Sequence, residues 1–124
     1  MNVTSRKYGP AVGLQVSGRL DQDTCGDFTR ELMTYVDSMA HAGGAVILDL
    51  SGLEYVSSAG LRCFMLASRQ AKAQHGRIFV AALQPMVAEI FEISHFNLVF
   101  QVFPTLREAM AAVSTDASAA YEKG

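Results

Sequence analysis

The sequence predicts an α/β domain, a small mixed β-sheet with helices packed on it in the order ββαβαβαβα. Three observations predict it. Short runs with strand patterning alternate with amphipathic segments of helical spacing, joined by short connections. Two of the runs, Ala45-Val46-Ile47-Leu48 and Ile78-Phe79-Val80-Ala81-Ala82, are apolar throughout, as strands covered on both faces are. Half of the 124 residues are hydrophobic, enough to fill one core in a chain of single-domain size.

Each element has a local cause. Val12, Leu14 and Val16 alternate with Gly13, Gln15 and Ser17, the period-2 signature of a half-buried strand. Residues 3–7 pair with it as a hairpin through Gly9-Pro10. Asp21 to Thr24 offer N-cap groups to a helix whose Phe28, Leu32, Val36 and Ala40 follow at i+4 spacing, ending at Gly43-Gly44. After the strand at 45–48 a second helix is led by Leu61, Phe64, Met65 and Leu66, with Arg62, Arg69 and Lys72 on its wet side, and is closed by Gly76. Pro85 suits the first turn of a short helix, where its missing N–H costs nothing. That helix turns Val87, Ile90 and Phe91 inward and Glu89 and Glu92 outward. Leu98 to Phe103 read as a last strand and Leu106 to Val113 as a last helix. Helical crossovers make the later strands largely parallel. The domain is expected to span residues 1–113. Residues 114–124, STDASAAYEKG, are small and polar, and are expected to form a flexible tail or to extend the last helix.

Charge and cysteine content exclude several classes. Charged residues make up 18% of the chain and the formal net charge is −2, which gives no footprint for nucleic acid or an anionic membrane. No stretch approaches the roughly 20 apolar residues of a membrane span, and MNVTSRKYGP has no apolar signal region. A cytoplasmic location is expected, without membrane insertion or a nucleic-acid partner. Cys25 and Cys63 do not make a disulfide framework, and reduced, core-facing thiols are expected.

The sequence offers little for catalysis or cofactor binding. His41, His75 and His95 have no metal spacing with one another or with a cysteine, so neither a metal nor another cofactor is expected. Gly43-Gly44 ends a helix instead of opening one, so it is no phosphate loop. Val56-x-Ser58-x-Gly60 sits at a strand-to-helix turn, the setting of a hydrolase nucleophile elbow, but Val replaces the first glycine of that motif. The acid and base could come only from Glu89 or Glu92 and His95, which share one short helix and cannot stack around Ser58. No enzyme is expected.

What stands out is the turn itself, Tyr55-Val56-Ser57-Ser58-Ala59-Gly60-Leu61. One serine is enough to cap a helix, worth about 1 kcal/mol over alanine, and either hydroxyl could supply that cap. The pair followed by Ala59-Gly60 makes a small-residue knob suited to close approach by a partner or a phosphate.

Around this turn the chain resembles the STAS domain family and, within it, the bacterial anti-sigma factor antagonists. The resemblance runs from Val12 to Val113. It rests on Ser17-Gly18-Arg19-Leu20-Asp21, similar to the family's G-x-L-D, and on Val46-Ile47-Leu48-Asp49-Leu50-Ser51-Gly52-Leu53. It also rests on Val56-Ser57-Ser58-Ala59-Gly60-Leu61, where the family often reads D-S-S-G-L. Leu83-Gln84-Pro85, Ile90-Phe91-Glu92-Ile93-Ser94 and Phe100-Gln101-Val102-Phe103, followed by Glu108-Ala109, resemble later family positions.

The resemblance implies a non-catalytic switch that binds an anti-sigma factor which is also a serine kinase, and that a PP2C-type phosphatase resets. It places the phosphoacceptor on Ser58, with Ser57, standing where the family has aspartate, as the alternative. The binding face it implies joins Leu20, Asp21 and Asp23 to Ser57, Ser58, Ala59, Gly60 and Leu61, with Arg62 and Arg69 on the following helix. The alternative within the family is a non-phosphorylated STAS subunit of a larger assembly such as a lipid transporter.

Overall fold

A computed structural model describes residues 1–41 and 44–123 of the chain. Strand β1 (Asn2–Tyr8) runs antiparallel to β2 (Ala11–Leu20), the hairpin expected through Gly9-Pro10. Helix α1 (Cys25–His41) then crosses to β3 (Ala45–Val56), α2 (Ser58–Ala73) to β4 (Ile78–Ala81), and α3 (Pro85–Ile93) to β5 (Gln101–Phe103). These four later strands are parallel and lie in chain order, so the sheet reads β1-β2-β3-β4-β5. Two further helices close the described chain, α4 (Leu106–Val113) and α5 (Thr115–Glu122). The expected α/β class is the one observed, and the element order matches ββαβαβαβα up to α4, with α5 as one helix more.

Alternation along the strands divides the interior in two. Leu14, Val16, Leu48, Leu50 and Val80 point to one face, where they meet Phe28, Leu32 and Val36 of α1, Phe64 and Ala67 of α2, and Val87 and Phe91 of α3. Phe64 sits at the centre of this layer, with ring centroids 5.5 Å from both Phe28 and Phe91, edge to face. The opposite face carries smaller side chains, Ala11, Ala45 and Ala81 with Ile47, and there α4 packs Ala109, Met110 and Val113.

Several expectations need correction. The last strand is only three residues long. Residues 96–98 form a 3₁₀ turn after His95, which takes a left-handed conformation (φ 60°). Phe96 and Phe100 are both buried, and their i, i+4 spacing is that of a turn of helix, so the first half of the run winds instead of extending. Strand β3, expected to end at Leu48, continues to Val56. Register shifts against β2 bring Leu53 and Val56 back to the core.

Helix α2 is closed as expected by Gly76, whose amide donates to the carbonyl of Ala71 at 2.7 Å, but the left-handed residue of the closing turn is His75 (φ 59°). Gly76 is required by packing, since a Cβ there would lie 2.7 Å from Val36 Cγ1 of α1. The expected α1 stop at Gly43 lies outside the described residues. Residues 115–122, expected in a flexible tail or helix extension, form the separate helix α5, capped by Ser114 Oγ on the amide of Ala117 at 3.0 Å. Ala117 is buried and Tyr121 lies 5.5 Å, ring to ring, from Tyr8 of β1.

The two cysteines are paired, contrary to the expectation of reduced thiols. Cys25 opens α1 and Cys63 lies in the second turn of α2. Because α1 packs beside α2, their Cα atoms stand 6.0 Å apart, joined by a disulfide.

Candidate functional site

The Ser57–Leu61 turn lies where β3 gives way to α2, at the carboxyl end of the parallel strands, the end where α/β sheets present their sites. Its two serines have separate tasks. Ser57 is the N-cap, with extended backbone (φ −84°, ψ 175°), and its Oγ accepts from the amide of Gly60 at 3.1 Å. Its carbonyl accepts from Leu61 N–H at 2.9 Å, the first bond of the helical ladder. Ser58 is the first helical residue. Its side chain is exposed, and its hydroxyl has no hydrogen-bond partner among the described residues. Among the described residues, no histidine or carboxylate is therefore hydrogen-bonded to it as a base.

The turn is held from behind by β2. The amide of Ser57 donates to the carbonyl of Leu20 at 3.0 Å, and Leu20 is wholly buried. Gly60 is buried too, and a Cβ there would lie 2.5 Å from the Leu20 carbonyl oxygen and 3.0 Å from Val56 Cγ1. Only glycine lets α2 start this close to the end of β2. Leu20 and Gly60, both expected on the binding face, thus position the turn from within the core. Ala59 and Leu61 are half-buried and leave the turn's surface to Ser58.

The neighbouring loop is also pre-organised. Asp21 Oδ1 accepts from the amides of Asp23 (3.0 Å) and Thr24 (3.2 Å), and Thr24 Oγ1 donates to the carbonyl of Arg19 at 3.0 Å. Asp21 is therefore occupied in shaping the entry to α1, and Asp23 is the acid this loop exposes. Arg62 and Arg69 are exposed on α2 with no ion-pair partner among the described residues. By the 3.6-residue repeat Arg62 lies about 40° and Arg69 about 20° around the helix from Ser58, so the three form one stripe.

The structure thus brings every predicted site residue to one end of the sheet or to this stripe, and the sequence reading missed two neighbours. Arg19, paired with Tyr55 in the β2–β3 register, lays its guanidinium 4.4 Å from the Tyr55 ring centroid, beside the turn. Cys25 Sγ lies 3.7 Å from the carbonyl oxygen of Ala59. Both contacts depend on cross-strand or cross-helix register, which single-chain spacing does not carry. No first-turn acid lies at the start of α2, so the positive end of its dipole meets no carboxylate of its own helix.

Comparison with known proteins places this geometry. The family model described as "Mlab, STAS domain" matches residues 3–113. A Bordetella bronchiseptica protein assigned as the anti-sigma factor antagonist BtrV is 43% identical over 70 residues, 56% of this chain and 60% of that protein's length. The crystal structure of a protein assigned as an anti-sigma factor antagonist from Thermotoga maritima superposes with a TM-score of 0.79, at 15% identity, over 90% of this chain and 93% of that one. The Bacillus cell fate determinant SpoIIAA in its phosphorylated form superposes with a TM-score of 0.62, at 17% identity, over 90% of this chain and 98% of that one. The chain belongs to the STAS domain family, and the relatives it resembles in sequence and fold include anti-sigma factor antagonists.

Proposed function

We propose that this chain is the antagonist in a partner switch, a non-catalytic binding module. Unphosphorylated, it binds an anti-sigma factor that is also a serine kinase. Phosphorylation of Ser58 releases it, and a PP2C-type phosphatase restores it. The observation that carries this reading is the exposed, unpartnered hydroxyl of Ser58 beside a neighbour already engaged as the cap. Phosphate on Ser57 would have to displace or rebuild the Ser57–Gly60 cap, whereas phosphate on Ser58 leaves it as it is. SpoIIAA, whose fold this chain shares, exists in a phosphorylated form.

The physical chemistry of the switch is favourable. A phosphoserine brings about −1.5 to −2 charge and three strong acceptors at neutral pH. At the start of α2 the dipole favours that charge by about 0.3–1 kcal/mol, and Arg62, four residues on, is free to face it. The domain therefore keeps its fold. Weakening a complex about 100-fold takes roughly 3 kcal/mol, and burying a doubly charged group against a partner readily costs that much. Release comes from repulsion and desolvation at the interface.

Incubation with the anti-sigma factor kinase and ATP, followed by intact mass and site mapping, tests the assignment. One phosphate on Ser58 is expected, with none on Ser58→Ala and continued modification of Ser57→Ala. An unchanged mass, or Ser58→Ala modified at the wild-type rate, overturns it. An unmodified chain that co-purifies with membrane transport subunits would instead support the structural-subunit reading.

A further inference from the structure

We propose that Cys25 and Cys63 form a redox latch that holds the Ser58 turn closed. The latch's effect on the mobility of the turn stands independently of the switch. Its effect on phosphorylation rests on Ser58 as the acceptor.

Three observations carry the latch. The two Cα atoms are 6.0 Å apart, within the span a disulfide bridges without backbone movement. The pair lies beside the switch: Cys25 is the first residue of α1, Cys63 is five residues beyond Ser58 on α2, and Cys25 Sγ is 3.7 Å from the Ala59 carbonyl oxygen. The sulfurs are also reachable. Both cysteines line an open groove of about 560 Å³ between α1 and α2, with Met33, Leu66 and Gln70. Cys25 is half-buried, while Cys63 is 3% exposed, so the first is the attacking thiol and the second the resolving one.

Oxidation by a low-molecular-weight disulfide, RSSR, balances as two exchanges. The Cys25 thiolate attacks RSSR, forming a Cys25–SR mixed disulfide and expelling one RS⁻. The Cys63 thiolate then attacks the Cys25 sulfur, forming the internal disulfide and expelling the second RS⁻. The two protein thiols lose two protons and two electrons, and RSSR becomes two RSH.

The closed bond spans 38 residues of sequence and stitches the second turn of α2 to the first turn of α1. A kinase that draws Ser58 into an extended pose unwinds the α2 start, and the covalent link at Cys63 limits how far that unwinding can spread and how far α2 can part from α1. In the reduced state the start of α2 is held by the Ser57 cap and packing alone. Oxidation thus slows modification of Ser58 and keeps the chain in its partner-binding form.

The test begins with the reduced chain treated with oxidised glutathione. Maleimide labelling after unfolding in denaturant is expected to fall from two thiols to none in a monomer, and the oxidised form to melt higher by on the order of 10 °C. Hydrogen exchange of the Gly60 and Leu61 amides is expected to slow about tenfold or more on oxidation. Cys25→Ser, which replaces sulfur with a smaller oxygen at a half-buried position, is expected to exchange at one rate under both conditions, and Cys63→Ala provides a second control. Thiols that stay reactive, a lone glutathione adduct on Cys25, or a disulfide that leaves the Gly60 and Leu61 exchange unchanged each overturn the latch. Because the exchange measurement uses no kinase, a Ser58 that is never phosphorylated would refute the switch while the latch is still read directly.

Discussion

The starts of α2 and α4 solve the same local problem in different ways. Both helices are capped by a hydroxyl on the amide three residues on, Ser57 to Gly60 at 3.1 Å and Thr105 to Glu108 at 3.2 Å. Beyond the cap they diverge. The first turn of α4 carries its own acid, Glu108, and begins with the half-buried Leu106. The first turn of α2 has no acid and begins with exposed Ser58. The α4 start is thus electrostatically complete and anchored by an apolar side chain. The α2 start keeps an uncompensated dipole and a free hydroxyl, backed by a buried glycine. A cap alone says nothing about function; a cap with a second, unused hydroxyl and no carboxylate marks the turn that can receive charge.

Substitutions along the two starts break or sharpen this contrast. The largest stability effect is expected for Gly60→Ala, whose new Cβ would meet the Leu20 backbone oxygen at 2.5 Å. A loss of about 1–3 kcal/mol is expected by chemical denaturation, together with a shifted Ser57 amide resonance as the Leu20 contact opens. Removing either cap should cost about the same: Ser57→Ala and Thr105→Ala are each expected to lose about 1 kcal/mol. A much smaller loss for Ser57→Ala would mean that Ser58 can take over the cap, and would break the division of labour.

Charge gives a smaller and opposite pair of effects. Glu108→Gln removes the acid from the α4 start and is expected to lower stability by about 0.3–1 kcal/mol, while Ser58→Glu adds one to the α2 start and is expected to raise it by a similar amount. Both differences should shrink at high salt. Smallest of all, Ser58→Ala is expected to stay within about 0.5 kcal/mol of wild type in the same denaturation experiment, because its hydroxyl holds nothing.

The parts legible in the sequence were those written in local pattern. The alternation of Val12, Leu14 and Val16, the spacing of Phe28, Leu32 and Val36, Pro85 at the first turn of α3 and the whole of α4 are decided by neighbours within a few residues. What escaped was decided across space. The pattern of β3 past Leu48 is broken by register shifts against β2, so its last residues do not read as strand. Phe96 and Phe100 mimic a strand's apolar content but are spaced as a helical turn. The disulfide depends on how α1 lies against α2. At the candidate site, the serine pair was legible as a cap with one hydroxyl too many. Which hydroxyl is free follows from φ and ψ at Ser57 and the 3.1 Å bond to Gly60, neither of which the letters encode. The burial of Leu20 and Gly60 was hidden for the same reason: their place is set by the close approach of β2 to the start of α2.

The central claim is that charge on Ser58 decides partner binding while the fold stays the same. The direct measurement is the affinity of the anti-sigma factor for the unmodified chain and for the chain phosphorylated on Ser58, by titration calorimetry, with far-UV circular dichroism of both forms. The account predicts affinity weakened about 100-fold or more between two forms with superimposable spectra. Equal affinities, or a phosphorylated form whose spectrum shows lost helix, would contradict it.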